Sequence, residues 1–356
     1  MKKNVLILFI SLILISCTTT SNNVEENREP EDPRDNSWLI PLNEIRDGGP
    51  GKDGIPSIDR PNFISAAEVD FLNDDDLVIG IIVNNEVRAY PHIVMDWHEV
   101  VNDNIGNNFF TLNYCPLTGT AFAWESVTNG IRSTFGVSGL LYNANLIMYD
   151  RNTDSNWSQL GLECVNGELI GDKPALLNVV ETDWETWSAL YPSTQVLSTN
   201  TGFSRNYGVS PYGDYATNND RFIFRPAITN AALPNKDRVY CIIDGDKSKV
   251  YEFSSFVGGK AIKDSFNGKN YLIIGNESVI NAFELPDQFI DTTFEYQLNA
   301  SSNSIIRDNL GNTWSLFGEA TSGPNLGNQL GEIKSVISYW FAIAAFYPNP
   351  EIYSEL

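Results

Sequence analysis

Apolar residues in this chain cluster in short runs broken by Asn, Asp, Gly and Pro, a pattern that predicts strands joined by tight turns. Residues 77–83 and 87–90 are β-rich and flank Asn84-Asn85, while residues 239–243 and 249–253 flank Asp244-Gly245-Asp246. Asn-Asn and Asp-Gly accept the positive φ angles that tight hairpins need, so both pairs are expected as hairpins. The Asp-Gly-Asp lacks the later ligands and closing glutamate of a calcium loop, which leaves the turn. Behind the first hairpin, residues 95–101 predict a short helical or irregular stretch. Strands are expected next at 109–114, 121–125, 131–135 and 145–149. Later the order recurs, with 271–275, 282–285 and 293–298. Helix-compatible segments at 183–191 and 335–346 close the two series just before Pro192 and Pro348, and Thr182 or Asp183 is a suitable N-cap for the first.

The recurrence extends to individual residues. Trp157-Ser158 with Gly161 returns as Trp314-Ser315 with Gly318, and Trp184 with Tyr191-Pro192 returns as Trp340 with Tyr347-Pro348. Val101-Asn102-Asp103 falls opposite Ile262-Lys263-Asp264, and residues 78–90 fall opposite 239–251. The offset stays between 156 (Trp184 to Trp340) and 161 (Asp103 to Asp264). We therefore expect a strand-dominated α+β protein with two related lobes from an internal duplication, each a β-rich unit closed by a short C-terminal helix. The units are too long for solenoid repeats. The first lobe is placed at 46–200 and the second at 237–356. Residues 201–236, rich in Gly, Pro, Asn and Tyr, form an ordered linker suited to covering a groove between them. The paired tryptophans and Tyr-Pro steps are expected to pin helix to sheet, a core role. Residues 136–145, which the second half replaces with a shorter passage at 298–302, are a candidate site loop.

The N-terminus reads as an export signal. Lys2 and Lys3 precede an apolar run at 5–15, too short to span a bilayer comfortably, that ends in Leu14-Ile15-Ser16-Cys17. This looks like a bacterial lipobox, with residues 1–16 removed and Cys17 lipidated; more than one acyl chain makes such an anchor stable. Thr18 after the cysteine favours the outer membrane over the inner. Residues 17–45 then comprise the lipidated cysteine and a tether whose acidic stretch at 18–36 has too few apolar groups to fold. Loss of Lys2 and Lys3 takes the formal charge from −22 to −24. That excess argues against nucleic acid or an anionic membrane surface as partner, so the expected membrane contact is the lipid anchor.

Chemistry is concentrated in the first half. There are two histidines and, beyond Cys17, three cysteines: Cys115, Cys164 and Cys241. An odd number in an oxidising compartment leaves at least one unpaired. In the repeat register His98 falls near Gly259, Cys115 near Gly275 and His92 near Phe253, so the second half lacks these groups.

Trp97-His98-Glu99-Val100-Val101-Asn102-Asp103, Tyr114-Cys115-Pro116-Leu117-Thr118-Gly119-Thr120, and the Ser138 to Asn145 segment leading into Met148-Tyr149-Asp150-Arg151 are distinctive. With the segment 340–348, they resemble the DUF3179 family of bacterial and archaeal proteins across nearly all of the mature chain. The resemblance implies membership and fold, without an activity. Many relatives carry a second cysteine where this chain has Thr118, so a Cys-x-x-Cys dithiol cannot form here.

Three readings of the His98 and Cys115 pair remain open. A thiolate and an imidazole suit a soft metal, copper or zinc, with His92, Glu99 or Asp103 as further ligands. Alternatively, Cys115 is a nucleophile with His98 as base, Glu99, Asp103 or Asn143 as orienter, and oxyanion donors from Gly119-Thr120 or residues 136–145. In the third, both are buried structural groups of a noncatalytic lipoprotein. The metal reading requires the Cys115 sulfur and a His98 nitrogen to converge with a third ligand. Arg88 and Arg151 are lesser candidates, as anion clamps or as surface ion pairs.

Overall fold

The computed structural model describes residues 38–128, 130–298 and 304–355, so the expected export signal, Cys17 and most of the expected tether lie outside the described residues. Both expected hairpins form, Leu77–Val83 with Glu86–Pro91 and Arg238–Asp244 with Lys247–Glu252. Asn84 and Asn85 take the positive φ angles of 49° and 65° that their side chains tolerate.

The central strands keep the same order in the two halves, and the first half adds the edge strands Phe63–Ser65 and Leu176–Leu177. Around the first hairpin the order is Val179–Asp183, Leu77–Val83, Glu86–Pro91, Gln195–Leu197; around the second it is Lys334–Tyr339, Arg238–Asp244, Lys247–Glu252, Glu351–Ile352. In both, the last-named strand joins in parallel and the others pair antiparallel. A meander of Val100–Ile105, Asn108–Cys115 and Thr120–Glu125 corresponds to Lys260–Phe266, Lys269–Gly275 and Ile280–Glu284. A third sheet, Phe135–Tyr142 through Glu163–Asn166, corresponds to Phe294–Tyr296 through Ala320–Ser322.

Among the described residues, three short α-helices punctuate the strands: α1 (His92–His98), α2 (Trp184–Leu190) and α3 (Trp340–Phe346). Asp183 caps α2, accepting from the Thr186 amide at 2.8 Å. The second half has only a 3-10 turn, Phe253–Phe256, where α1 stands in the first. Among the described residues no helix is long and apolar enough to cross a membrane.

Two expectations change. Helical structure was expected over 335–346, but Lys334–Tyr339 is a strand and α3 begins at Trp340. The free edge of Arg238–Asp244 satisfies that backbone, a long-range partner that local pattern does not reveal. Residues 136–145 are not a loop. Phe135–Tyr142 is a bulged strand between Ile45–Asp47 and Asn145–Asp150. Its glycines serve close backbone approach: Gly139 has φ 82°, and a Cβ there would lie 2.5 Å from the Gly51 carbonyl carbon.

Two of the cores are shared between the halves. In one, Trp340, Phe341 and Ile343 of α3 pack with Trp157, Met148 and Leu160 of the first half. In the other, Trp184 and Trp187 of α2 pack with Trp314, Phe283 and Leu330 of the second. Each helix does close a β-rich unit, and it touches the sheet of the opposite half. Tyr347 donates from its hydroxyl to the Leu160 carbonyl at 3.0 Å, and the Trp187 and Phe317 rings meet edge-on. The first-half hairpin leaves room for α2 only at Gly80, where a Cβ would sit 2.1 Å from the Trp187 ring. This crossing brings the start of the second half against α1 and the Cys115 turn.

Candidate functional site

His98, at the end of α1, is fully buried, with Nδ1 2.7 Å from the Pro56 carbonyl oxygen and Nε2 2.7 Å from the Tyr207 hydroxyl. A carbonyl only accepts, so Nδ1 carries the proton, and Nε2 accepts from Tyr207. Tyr207 in turn accepts from Thr201 at 2.6 Å. Burial lowers the His98 pKa, against the Pro56 hydrogen bond, keeping the ring neutral at neutral pH. Both ring nitrogens are thus occupied, Nε2 in holding the linker to α1 and Nδ1 in holding the segment at Pro56.

Cys115 ends the strand Asn108–Cys115 and is buried. Burial pushes its thiol up to about 11, with Glu99 adding to the effect, so it is protonated and a poor nucleophile at neutral pH. The thiol lies 3.8 Å from the Ala144 carbonyl oxygen, and the nearby Thr118 hydroxyl acts against the upward shift. The Thr118 and Gly119 amides both donate to the Cys115 carbonyl, at 3.2 and 2.8 Å, and so are not aimed as oxyanion donors. All three described cysteines are buried and free.

No hydrogen bond joins His98 and Cys115 among the described residues. The sulfur belongs to the core around Trp157, whereas Tyr207, the partner of His98, belongs to the core around Tyr90. Nor does any group of three or more His, Cys, Asp or Glu stand close enough to hold a metal ion among the described residues. Asp103 faces away from both, accepting from Tyr90 and pairing with Arg88. Asn143, at the tip of the 135–150 hairpin, accepts from the Ala227 amide at 2.9 Å and ties down the linker. Arg88 pairs with Glu86 and Asp103, and Arg151 with Asp59.

The charged groups of the first half converge instead on a cavity of about 320 Å³ between the two halves and the linker. His92 and Asp96, four residues apart on α1, share one helix face and both line it. Tyr114 and Pro116 flank it from the Cys115 turn; Tyr212 and Tyr215 come from the linker; Lys236, Arg238 and Tyr339 come from the segment entering the second half and from the strand before α3. The turn is held from both sides, with the Tyr215 hydroxyl donating to the Leu117 carbonyl at 3.0 Å and the Tyr339 amide to the Thr118 carbonyl at 2.8 Å.

On the cavity wall, Glu181 is buried between His92, at 3.0 Å, and Arg238. Burial alone would raise its pKa, but His92 and Arg238 hold it below the usual carboxylate value. Asp96 is pushed up to about 6 by burial, which outweighs His92 and a hydrogen bond from Ser210. Glu99, behind the Tyr212 hydroxyl that donates to it at 3.0 Å, is pushed up to about 7 by burial. Its backbone is also unusual, with φ 58° at the end of α1. Lys236 is only 5% exposed, its Nζ finds no hydrogen-bond partner, and desolvation pulls its pKa down to about 7.

A family model described as "Protein of unknown function (DUF3179)" matches residues 52–350. The chain belongs to the DUF3179 family. No curated protein and no solved structure matches it. The span matched by the DUF3179 family includes both halves and every residue of the cavity. A larger hollow of about 420 Å³ in this DUF3179 protein lies near Asp244 and Lys269, which pair with each other at the surface. It contains no histidine or cysteine and no buried unpaired group.

Sequence reasoning missed Lys236, Glu181 and Arg238. Asp96 was legible as an acid four residues after His92 in an otherwise apolar helix. Lys236 sits in Asn235-Lys236-Asp237, a polar context that reads as an exposed turn.

Proposed function

We propose that this DUF3179 protein is an envelope lipoprotein that binds a small acidic or carbonyl-bearing molecule in the cavity between its halves. The observation that carries the reading is Lys236. A buried donor without a partner is costly, and a ligand oxygen accepting from it would offset that cost. Arg238, already oriented by Glu181, adds further donors on the same wall, beside His92. Tyr114, Tyr212, Tyr215 and Tyr339 provide the apolar remainder of a small-molecule site.

The test is thermal stability of the purified protein in a panel of small carboxylates and oxo acids. At least one should raise the melting temperature of the wild-type chain and leave Lys236→Met unmoved. If none shifts the wild type, the cavity is not a ligand site.

The lipobox at Cys17 supports envelope anchoring, with the acidic segment as spacer, and Thr18 favours the outer membrane. Cys17→Ser should release the protein from the membrane fraction. The common strand order supports an internal duplication in which the first half alone carries His92, Asp96, His98 and Cys115. A copper or zinc site on His98 and Cys115 gains no support from geometry that engages both imidazole nitrogens elsewhere. A protonated, buried Cys115 likewise gives no support to a cysteine-dependent enzyme.

A further inference from the structure

We infer that Lys236 is an amine nucleophile that forms an imine with a small aldehyde or 2-oxo acid held in the cavity. The inference rests on the cavity being a ligand site, and it assigns the ligand a reacting carbonyl.

Lys236 leads into the strand Arg238–Asp244, and its backbone N–H donates a hydrogen bond to Asn219 Oδ1 at 2.7 Å. The side chain is buried among rings, with Nζ 3.1 Å from the centre of Tyr215, 4.7 Å from Phe341, 4.9 Å from Phe222 and 5.3 Å from Tyr339. A lysine buried for stability pairs with a carboxylate; the Lys236 Nζ has no ion pair and no hydrogen bond among the described residues. The ring faces attract the ammonium form. Burial and the like charge of Arg221 act against it, and a substantial share of the side chain is free amine near neutral pH. With no donor bonded to it, the lone pair is available to a carbon electrophile.

The neighbouring groups suit the reaction. Nζ adds to the carbonyl carbon, a C–N bond forms and the C–O π bond opens; the oxygen takes up the proton that nitrogen loses, giving a carbinolamine. Protonation of that hydroxyl and loss of water then leave the imine, with no net oxidation. Asp96 lines the same cavity and stays protonated to about pH 6, so it is placed to pass those protons. Arg238 provides donors for a carboxylate next to the carbonyl, which favours 2-oxo acids over simple aldehydes.

The experiment is to incubate the full chain with glyoxylate and sodium cyanoborohydride, which reduces an imine to a stable amine, and to map carboxymethyl groups by mass spectrometry. Labelling of Lys236 should exceed that of the exposed Lys173, Lys247 and Lys269 by about tenfold or more. Glycolate, which has the carboxylate but no carbonyl, should suppress it in the wild-type protein, a readout that needs no variant. Lys236→Met should lose this adduct and keep the others. Labelling at Lys236 no greater than at the exposed lysines overturns the imine. If glyoxylate raises the melting temperature under that outcome, the cavity reading survives; if it and the carboxylate panel all leave the temperature unchanged, both fall.

Discussion

Asp103 and Asp264 hold the same station in the two halves. Asp103 accepts from the Tyr90 hydroxyl at 2.6 Å and pairs with Arg88 at 2.5 Å; Asp264 accepts from Tyr251 at 2.9 Å and pairs with Lys249 at 2.6 Å. Each also accepts from the next residue's amide, at 2.7 Å. A group repeated in the half without histidine or Cys115 serves the scaffold. Asp103→Ala would strand the buried Tyr90 hydroxyl and the Arg88 charge, so we expect a loss of roughly 3–5 kcal/mol in urea unfolding. Asp264→Ala should act in the same direction. If Asp103→Ala leaves stability intact and abolishes ligand binding, the scaffold role is wrong.

Glu99 should make the protein less stable as pH rises. Its pKa is raised from 4.5 to about 7, so its contribution is fully present below pH 4.5 and is lost as pH climbs through 7. Above that, ionising the buried carboxyl costs roughly 3 kcal/mol. Asp96, raised from 3.8 to about 6, acts in the same direction over a lower window. Glu99→Gln keeps an acceptor for Tyr212 and should flatten the fall in melting temperature between pH 5 and pH 8. Parallel pH profiles for variant and wild type would contradict this.

His98 should be a neutral Nδ1–H tautomer, visible by nitrogen NMR as one protonated and one unprotonated ring nitrogen. Its depressed pKa contributes stability above the ordinary histidine value of 6.5, lost as pH falls through the folded value. His98→Ala removes the link to Tyr207 and Pro56, and should speed proteolysis within residues 201–217. Unchanged cleavage there would mean the histidine does not hold the linker.

Trp187 and Trp340 are both fully buried, and their helices touch both halves. Replacing either with Ala should cost roughly 3–5 kcal/mol. Because two of the cores draw on both halves, fluorescence and circular dichroism should follow one coincident unfolding transition. Two separate transitions would show that the halves fold independently.

Thr118→Cys should restore a dithiol. Residue 118 sits in the tight turn that Cys115 opens, its amide 3.2 Å from the Cys115 carbonyl oxygen, so a sulfur there starts close to the thiol. After mild oxidation and denaturation, thiol titration of the described chain should find Cys164 and Cys241 and neither residue of the new pair. Four reactive thiols would show that the turn holds the sulfurs apart.

Much of the scaffold was legible because it depends on short-range pattern. Asn84-Asn85 and Asp244-Gly245 announce hairpins through the φ angles those residues tolerate, and the matched tryptophans mark the equivalent packing positions. The candidate site was legible only in part. His98 and Cys115 stood out because the second half lacks them, yet burial engages the imidazole at both nitrogens and keeps the thiol protonated. Glycines at 136 and 139 suggested a loop, whereas their role is to let a strand pack against residues 51–53 and Tyr149.

By itself the sequence determined the strand-dominated class, the repeated order of elements and membership of the DUF3179 family, since these reside in local periodicity and motif. Only the tertiary structure decided where charge is buried. The cavity takes His92 and Asp96 from α1, Glu181 from a strand before α2, Tyr212 from the linker, and Lys236 and Arg238 from the approach to the second half. Nothing in the vicinity of Asn235-Lys236-Asp237 distinguishes that lysine from a solvated one. Four aromatic rings brought in from the linker and the C-terminal segment exclude water from its amine, and that exclusion depends on contacts distant in the chain.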